Sequence, residues 1–115
     1  MSKYKLVVSD KVTVKVEGVM DRDDGTPDPF KFTLYANRIG AKALSEALTD
    51  ENQKASDLMR RVVTGWKGQK LVIDEETGVP AEFCEEAFDS LLEAEGMASY
   101  CMNAYLKAVQ AKAKN

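Results

Sequence analysis

The chain has 115 residues, 44% of them hydrophobic and 30% charged, with a formal net charge of −3. That length suits one domain with one core, and the apolar share excludes a generally disordered chain. No stretch approaches the ~20 apolar residues of a membrane span, and no apolar run succeeds Met1-Ser2-Lys3, so neither export nor membrane residence is expected.

The first third reads as β. The even positions from Tyr4 to Met20 are Tyr4, Leu6, Val8, Asp10, Val12, Val14, Val16, Gly18 and Met20, a period of two with one polar interruption. A strand with one buried face has that period, and its length calls for a bulge or bend at Ser9-Asp10. The stretch from Asp21 to Asp28 is rich in turn-forming residues, and alternation resumes at Phe30, Phe32 and Leu34. The expectation is a long antiparallel hairpin with its loop at about 21–28 and its apolar face covered by the downstream helices or by another chain.

From Asn37 the period lengthens. Ala41, Leu44, Ala47 and Leu48 predict a short helix. Asp50 and Gln53 read as a capping box for a second helix whose stripe is Ala55, Leu58, Met59, Val62 and Trp66, with Gly65 as terminator. Lys70 to Ile73 predicts a short strand, ended by the turn Asp74 to Pro80. A third helix, about 81–94, sets Glu82, Glu85, Glu86, Asp89 and Glu93 against Phe83, Ala87, Phe88, Leu91 and Leu92, and Gly96 ends it. The fourth, about 97–112, has one narrow polar stripe of Ser99, Asn103, Lys107 and Gln110. Its remaining arc, roughly 240° wide, exceeds the ~100° a surface helix needs. Either its own domain wraps this helix or part of it meets a partner. The fold class is therefore α+β: an N-terminal antiparallel hairpin or small sheet (about 4–36) packed against a bundle of about four helices (about 38–112), in one domain spanning 1–115.

Charge is unevenly placed. Residues 1–73 carry 13 Lys/Arg against 10 Asp/Glu, and residues 74–115 carry 3 lysines against 9 acids, all nine lying between Asp74 and Glu95. Such a segment repels a phosphate backbone, so nucleic acid is not expected as a partner.

The sequence contains no histidine, which removes the commonest general acid–base and the commonest metal ligand. Gly65-Trp66-Lys67-Gly68 has neither phosphate-loop spacing. An EF-hand begun at Asp21 needs glycine and glutamate where Thr26 and Phe32 stand. No catalytic, cofactor-binding or metal-binding residue is assigned, and no enzyme is expected. Cys84 and Cys101 read as buried thiols in a reducing compartment, with a disulfide between two helices as the alternative. Trp66 is either core or an anchor for a partner, since Trp and Tyr are enriched among interface hot spots. Trp66, Tyr100, Met102, Tyr105 and Val109 are the candidate partner-binding residues.

The segment Val62-Val-Thr-Gly-Trp-Lys-Gly68, then Val72-Ile-Asp74, Gly78-Val-Pro80, Phe83 through Leu92, Glu95-Gly-Met97 and Asn103-Ala-Tyr105 resembles the pattern of phage tail assembly chaperones. That pattern runs from a helix ending at Gly-Trp through an acidic Asp/Gly/Pro turn to a helix with a Leu-Leu pair. A small-residue break and a final helix with an Ala-Tyr step complete it. The resemblance covers roughly residues 62–106. It implies a non-enzymatic protein of the bacterial host cytoplasm that binds the phage tape measure protein and keeps it soluble, with tail tube protein as a second candidate partner. It also implies absence from the mature virion. A homo-oligomer is compatible with it, and the alternative is a structural tail or connector protein retained in the particle.

Overall fold

The computed structural model describes residues 3, 4 and 9–110, so the expected strand over 5–8 and the helix beyond 110 lie outside the described residues. Its elements run β1 (Lys11–Asp21), β2 (Pro27–Asn37), α1 (Ala41–Thr49), α2 (Ala55–Val62), β3 (Val63–Lys67), α3 (Glu85–Leu92) and α4 (Met97–Val109). The architecture is α+β: a three-stranded antiparallel sheet in the order β1-β2-β3, with helices closing one face.

The hairpin follows the alternation. Cross-strand partners Val12 and Ala36, Val14 and Leu34, and Val16 and Phe32 all lie buried on the helix side. Odd positions such as Thr13, Lys15, Glu17 and Lys31 face solvent. The connection is Arg22 to Thr26, closed by Arg22 N–H to Thr26 C=O at 2.8 Å, with Gly25 at φ +84°. A positive φ is cheap only for glycine. The strand begins at Lys11, directly after the bend at Asp10.

Three local expectations give way to other physics. Helix α2 stops at Val62, so Trp66 and Gly65 belong to β3 and not to a helical stripe and its terminator. The run Val62-Val63-Thr64 is β-branched, and β2 offers a ladder in which Leu34 pairs with Trp66 and Tyr35 with Gly65. Thr64 is the extra residue of a bulge between Tyr35 and Ala36. The capping box is displaced as well. Helix α2 starts at Ala55, where the Lys54 N–H donates to Asp57 Oδ2 at 3.0 Å, while Asp50 Oδ1 accepts from Asn52 N–H in a turn. Lys70–Ile73 is not a strand; only Ile73 bridges Pro80.

The helices otherwise occupy their expected places, with α3 starting only at Glu85, after the extended Cys84, and ending at Leu92. Ala87, Phe88 and Leu91 are buried and Glu85, Glu86, Asp89 and Glu93 exposed, as the two-faced pattern requires. Gly96, at φ +80°, caps the start of α4 and joins it to the turn after α3. Leu48 turns out to solvent, and α1 buries only Ala47.

Gly18 has a packing role of its own. A Cβ there would lie 2.5 Å from Phe30 Cζ, because the Phe30 ring lies across the glycine opposite it in the hairpin. The ring also stacks on Phe32 and meets Tyr100 edge-on, both with centroids at 6.0 Å. Replacing Gly18 with Val should displace this ring and cost about 1–3 kcal/mol, the usual penalty of overpacking, as read by urea denaturation. A cost below a few tenths of a kcal/mol would contradict the packing described.

Candidate functional site

Three surfaces hold the candidate residues: helix α4, the Trp66 neighbourhood, and the arm between β3 and α3. On α4, Met97, Cys101 and Tyr105 are completely enclosed, and the helix packs against β1 on one flank and α2 on the other. Met102, Ala104, Ala108 and Val109 are half-buried against the core. The wide apolar arc is thus largely absorbed by the domain itself. Tyr100 is the large apolar side chain of this helix that stays exposed, at 46%.

Tyr105 is a correction to the partner-binding set. Its side chain has no exposed surface, so it cannot meet a partner. Its hydroxyl donates to the Asn37 carbonyl at 2.7 Å and accepts from the Ile39 N–H at 3.2 Å. Burial pushes the phenol above its ordinary pKa, against smaller opposing effects of the Ile39 hydrogen bond and the nearby arginines, and this keeps it a donor. Arg38, between its two partners, reaches the Val109 carbonyl at 2.9 Å and the Ser9 carbonyl at 3.0 Å. Val109 accordingly contributes a backbone acceptor to this clamp, and its side chain is half-buried.

Trp66 is half-buried on the helix side of β3. Its ring meets Phe83 edge-on at 5.3 Å and Phe88 at 6.4 Å, and its Nε1–H donates to the Ala81 carbonyl at 3.1 Å. With its ring and its donor both engaged, Trp66 mainly secures the arm to the sheet. A shallow groove of about 390 Å³ runs beside it, with Lys67 and Lys70 on its margin.

The arm is organised by Gln69, a buried polar side chain that sequence periodicity does not single out. Its Nε2 donates to the carbonyls of Val72 (2.9 Å) and Ala81 (3.1 Å). Its Oε1 accepts from the N–H of Leu71 (3.0 Å) and Val72 (2.8 Å). One amide thereby supplies backbone-like hydrogen bonds to a segment too short to form a sheet. Beyond it, Asp74 N–H to Val79 C=O and Ala81 N–H to Val72 C=O close a tight hairpin, both at 2.9 Å. This rigid arm holds three large apolar side chains in solvent: Leu71 at 38%, Ile73 at 44% and Val79 at 55% exposed. In the sequence, apolar residues on either side of a turn mark the turn itself and not the exposure of those side chains.

The polar residues do not converge. Asp24 accepts from both the hydroxyl and the N–H of Thr26, which holds its carboxyl below the ordinary value, and Asp28 faces Arg22 at 3.3 Å. Asp89 takes Arg60 Nε at 2.6 Å. Among the described residues no three His, Cys, Asp or Glu side chains are placed to hold a metal ion. Both cysteines are free thiols. Cys84 is exposed, contrary to expectation, because its Sγ caps α3 by accepting from Ala87 N–H at 3.3 Å. Cys101 is buried, and burial pushes its thiol up to about 12. Among the described residues, no helix is long and apolar enough to cross a membrane.

A further groove, of about 740 Å³, lies between the outer edge of β1 and α4. Thr13, Lys15 and Glu17 line one side and Tyr100, Ala104 and Lys107 the other. Comparisons with family models, curated proteins and solved structures find no match for this chain.

Replacing Tyr105 with Phe should cost about 1–2 kcal/mol, because the Asn37 carbonyl and Ile39 N–H lose their partner where water reaches them poorly. Equilibrium unfolding in urea measures it. A cost indistinguishable from zero would contradict the clamp.

Proposed function

We propose that this chain is a non-enzymatic assembly chaperone of the phage tail assembly type. On this reading it binds the tape measure protein, keeps it soluble in the bacterial host cytoplasm, and is left out of the finished virion. The observation that carries the reading is the arm. Leu71, Ile73 and Val79 are held in water by the Gln69 hydrogen bonds and the Trp66 anchor. They fall within the segment whose order of motifs resembles that family. An arm whose backbone is already hydrogen-bonded has less backbone freedom to lose on binding, so burial of its apolar side chains translates more efficiently into affinity. Tyr100 adds a second exposed aromatic on α4, while Met102 and Val109, half-buried, offer only their margins. A long helical client with exposed apolar stripes suits such a surface, which shields without chemistry.

A second reading, a tail or connector protein retained in the particle, draws on the hairpin end. Val19 and Met20 are exposed there, at 52% and 37%, in a molecule with a long axis of 56 Å. Mass spectrometry of purified particles separates the two: a chaperone is absent, a connector stoichiometric.

The direct test is co-expression with the tape measure protein and the combined substitutions Leu71→Asp, Ile73→Asp and Val79→Asp. Because all three side chains are exposed, the melting temperature should move little while capture falls at least tenfold, about 1.4 kcal/mol. Undiminished capture by a folded variant overturns the assignment.

A further inference from the structure

Among the described residues, the outward edge of β1 carries backbone hydrogen-bonding groups that no strand uses. Arg38 N–H bonds Asp10 C=O at 2.7 Å, and Arg22 N–H bonds Thr26 C=O at 2.8 Å. Together with the register Lys11–Asn37 through Asp21–Pro27, these bonds fix which residues face β2. The pairs at odd positions of β1 are the non-hydrogen-bonded ones. The N–H and C=O of Thr13, Lys15, Glu17 and Val19 therefore point away from β2, toward the groove beside α4. No other strand pairs with β1 among the described residues.

The groove has the remaining features of a strand-binding site. Tyr100, Ala104 and Ala108 recur at every fourth residue of α4 along it, and Asn103 and Lys107 line the same side. On the rim, Glu17 is matched by Lys31 at 3.6 Å. Lys15 and Lys107 form no ion pair among the described residues, so the groove presents uncompensated positive charge.

We infer that this edge takes an extended, acidic peptide segment as a fourth strand, with apolar side chains alternating down onto Tyr100, Ala104 and Ala108. A second copy of this chain fits less well. It would bring its own Lys15 and Lys107 to the same groove, and like charges repel. An acidic strand meets no such obstacle, and main-chain pairing supplies affinity while the pockets supply selectivity. The inference rests on the chaperone reading only for the origin of the peptide.

The test uses a fluorescein-labelled ten-residue peptide of alternating valine and glutamate, titrated against the full chain by anisotropy. Saturable binding is expected, with the amides of Thr13, Lys15 and Glu17 becoming protected from hydrogen exchange. Lys15→Glu with Lys107→Glu should weaken binding at least tenfold, and so should Ala104→Trp, which fills the groove. Thr13→Pro should do the same, since it removes an outward N–H that no described residue uses. No saturable binding, equal affinity across these variants, or tighter binding of a helical peptide of matched charge overturns the inference. So does a dimer that Thr13→Pro dissociates. Peptide binding that survives when the arm variant loses its client separates this site from the arm, and arm-dependent capture without peptide binding overturns the edge site while the chaperone reading stands.

Discussion

One phenol fastens the two halves of this molecule. The Tyr105 hydroxyl sits between the Asn37 carbonyl, at the end of β2, and the Ile39 N–H, just beyond it. Arg38, the residue between them, bonds the Ser9 and Val109 carbonyls. The point where the chain leaves the sheet for the helices is thus tied to the last turn of α4 and to the approach to β1. A backbone leaving a strand exposes polar groups that no ladder satisfies; here the Tyr105 hydroxyl satisfies two of them, and Arg38 caps the Ser9 and Val109 carbonyls beside them. No buried side-chain nitrogen or oxygen among the described residues lacks a partner.

That constraint decides what α4 can do. Fixed at its C-terminal half, the helix keeps Met97, Cys101 and Tyr105 inward, and its wide apolar arc closes against β1 and α2. The large apolar side chains left in water include Leu71, Ile73 and Val79 on the arm between β3 and α3, Val19 and Met20 at the hairpin end, Leu48 on α1, and Tyr100 beside the β1 edge. The arm can expose Leu71, Ile73 and Val79 because Gln69 and Trp66 hold its backbone without any covering layer. Rigidity at the base and exposure at the tip have the same cause.

The hairpin is legible in the sequence because period-two alternation reports a sheet face directly: Val12, Val14, Val16, Phe30, Phe32 and Leu34 all point inward. The amphipathic face of α3 is legible for the same reason at period 3.6. Trp66 is misplaced by periodicity because apolar spacing continues smoothly from α2 into β3, and only the β-branched run Val62-Val63-Thr64 signals the switch. The fate of the α4 arc is not legible, since a sequence shows how much apolar surface a helix carries and not how many neighbours surround it. Tyr105 resembles an interface tyrosine for that reason. Gln69 has no periodic signature, because a side chain that substitutes for a backbone ladder depends on the fold around it.

If α4 is locked onto the strand exit, it does not turn Met97, Cys101 and Tyr105 out to a partner. Native-state hydrogen exchange at the Ile39 amide tests this most directly, since that N–H is held by the Tyr105 oxygen alone among the described residues. A locked helix predicts protection close to that of the amides of the central strand β2. Exchange as fast as at the hairpin-turn residue Asp23 would show α4 releasing readily, and would contradict the lock.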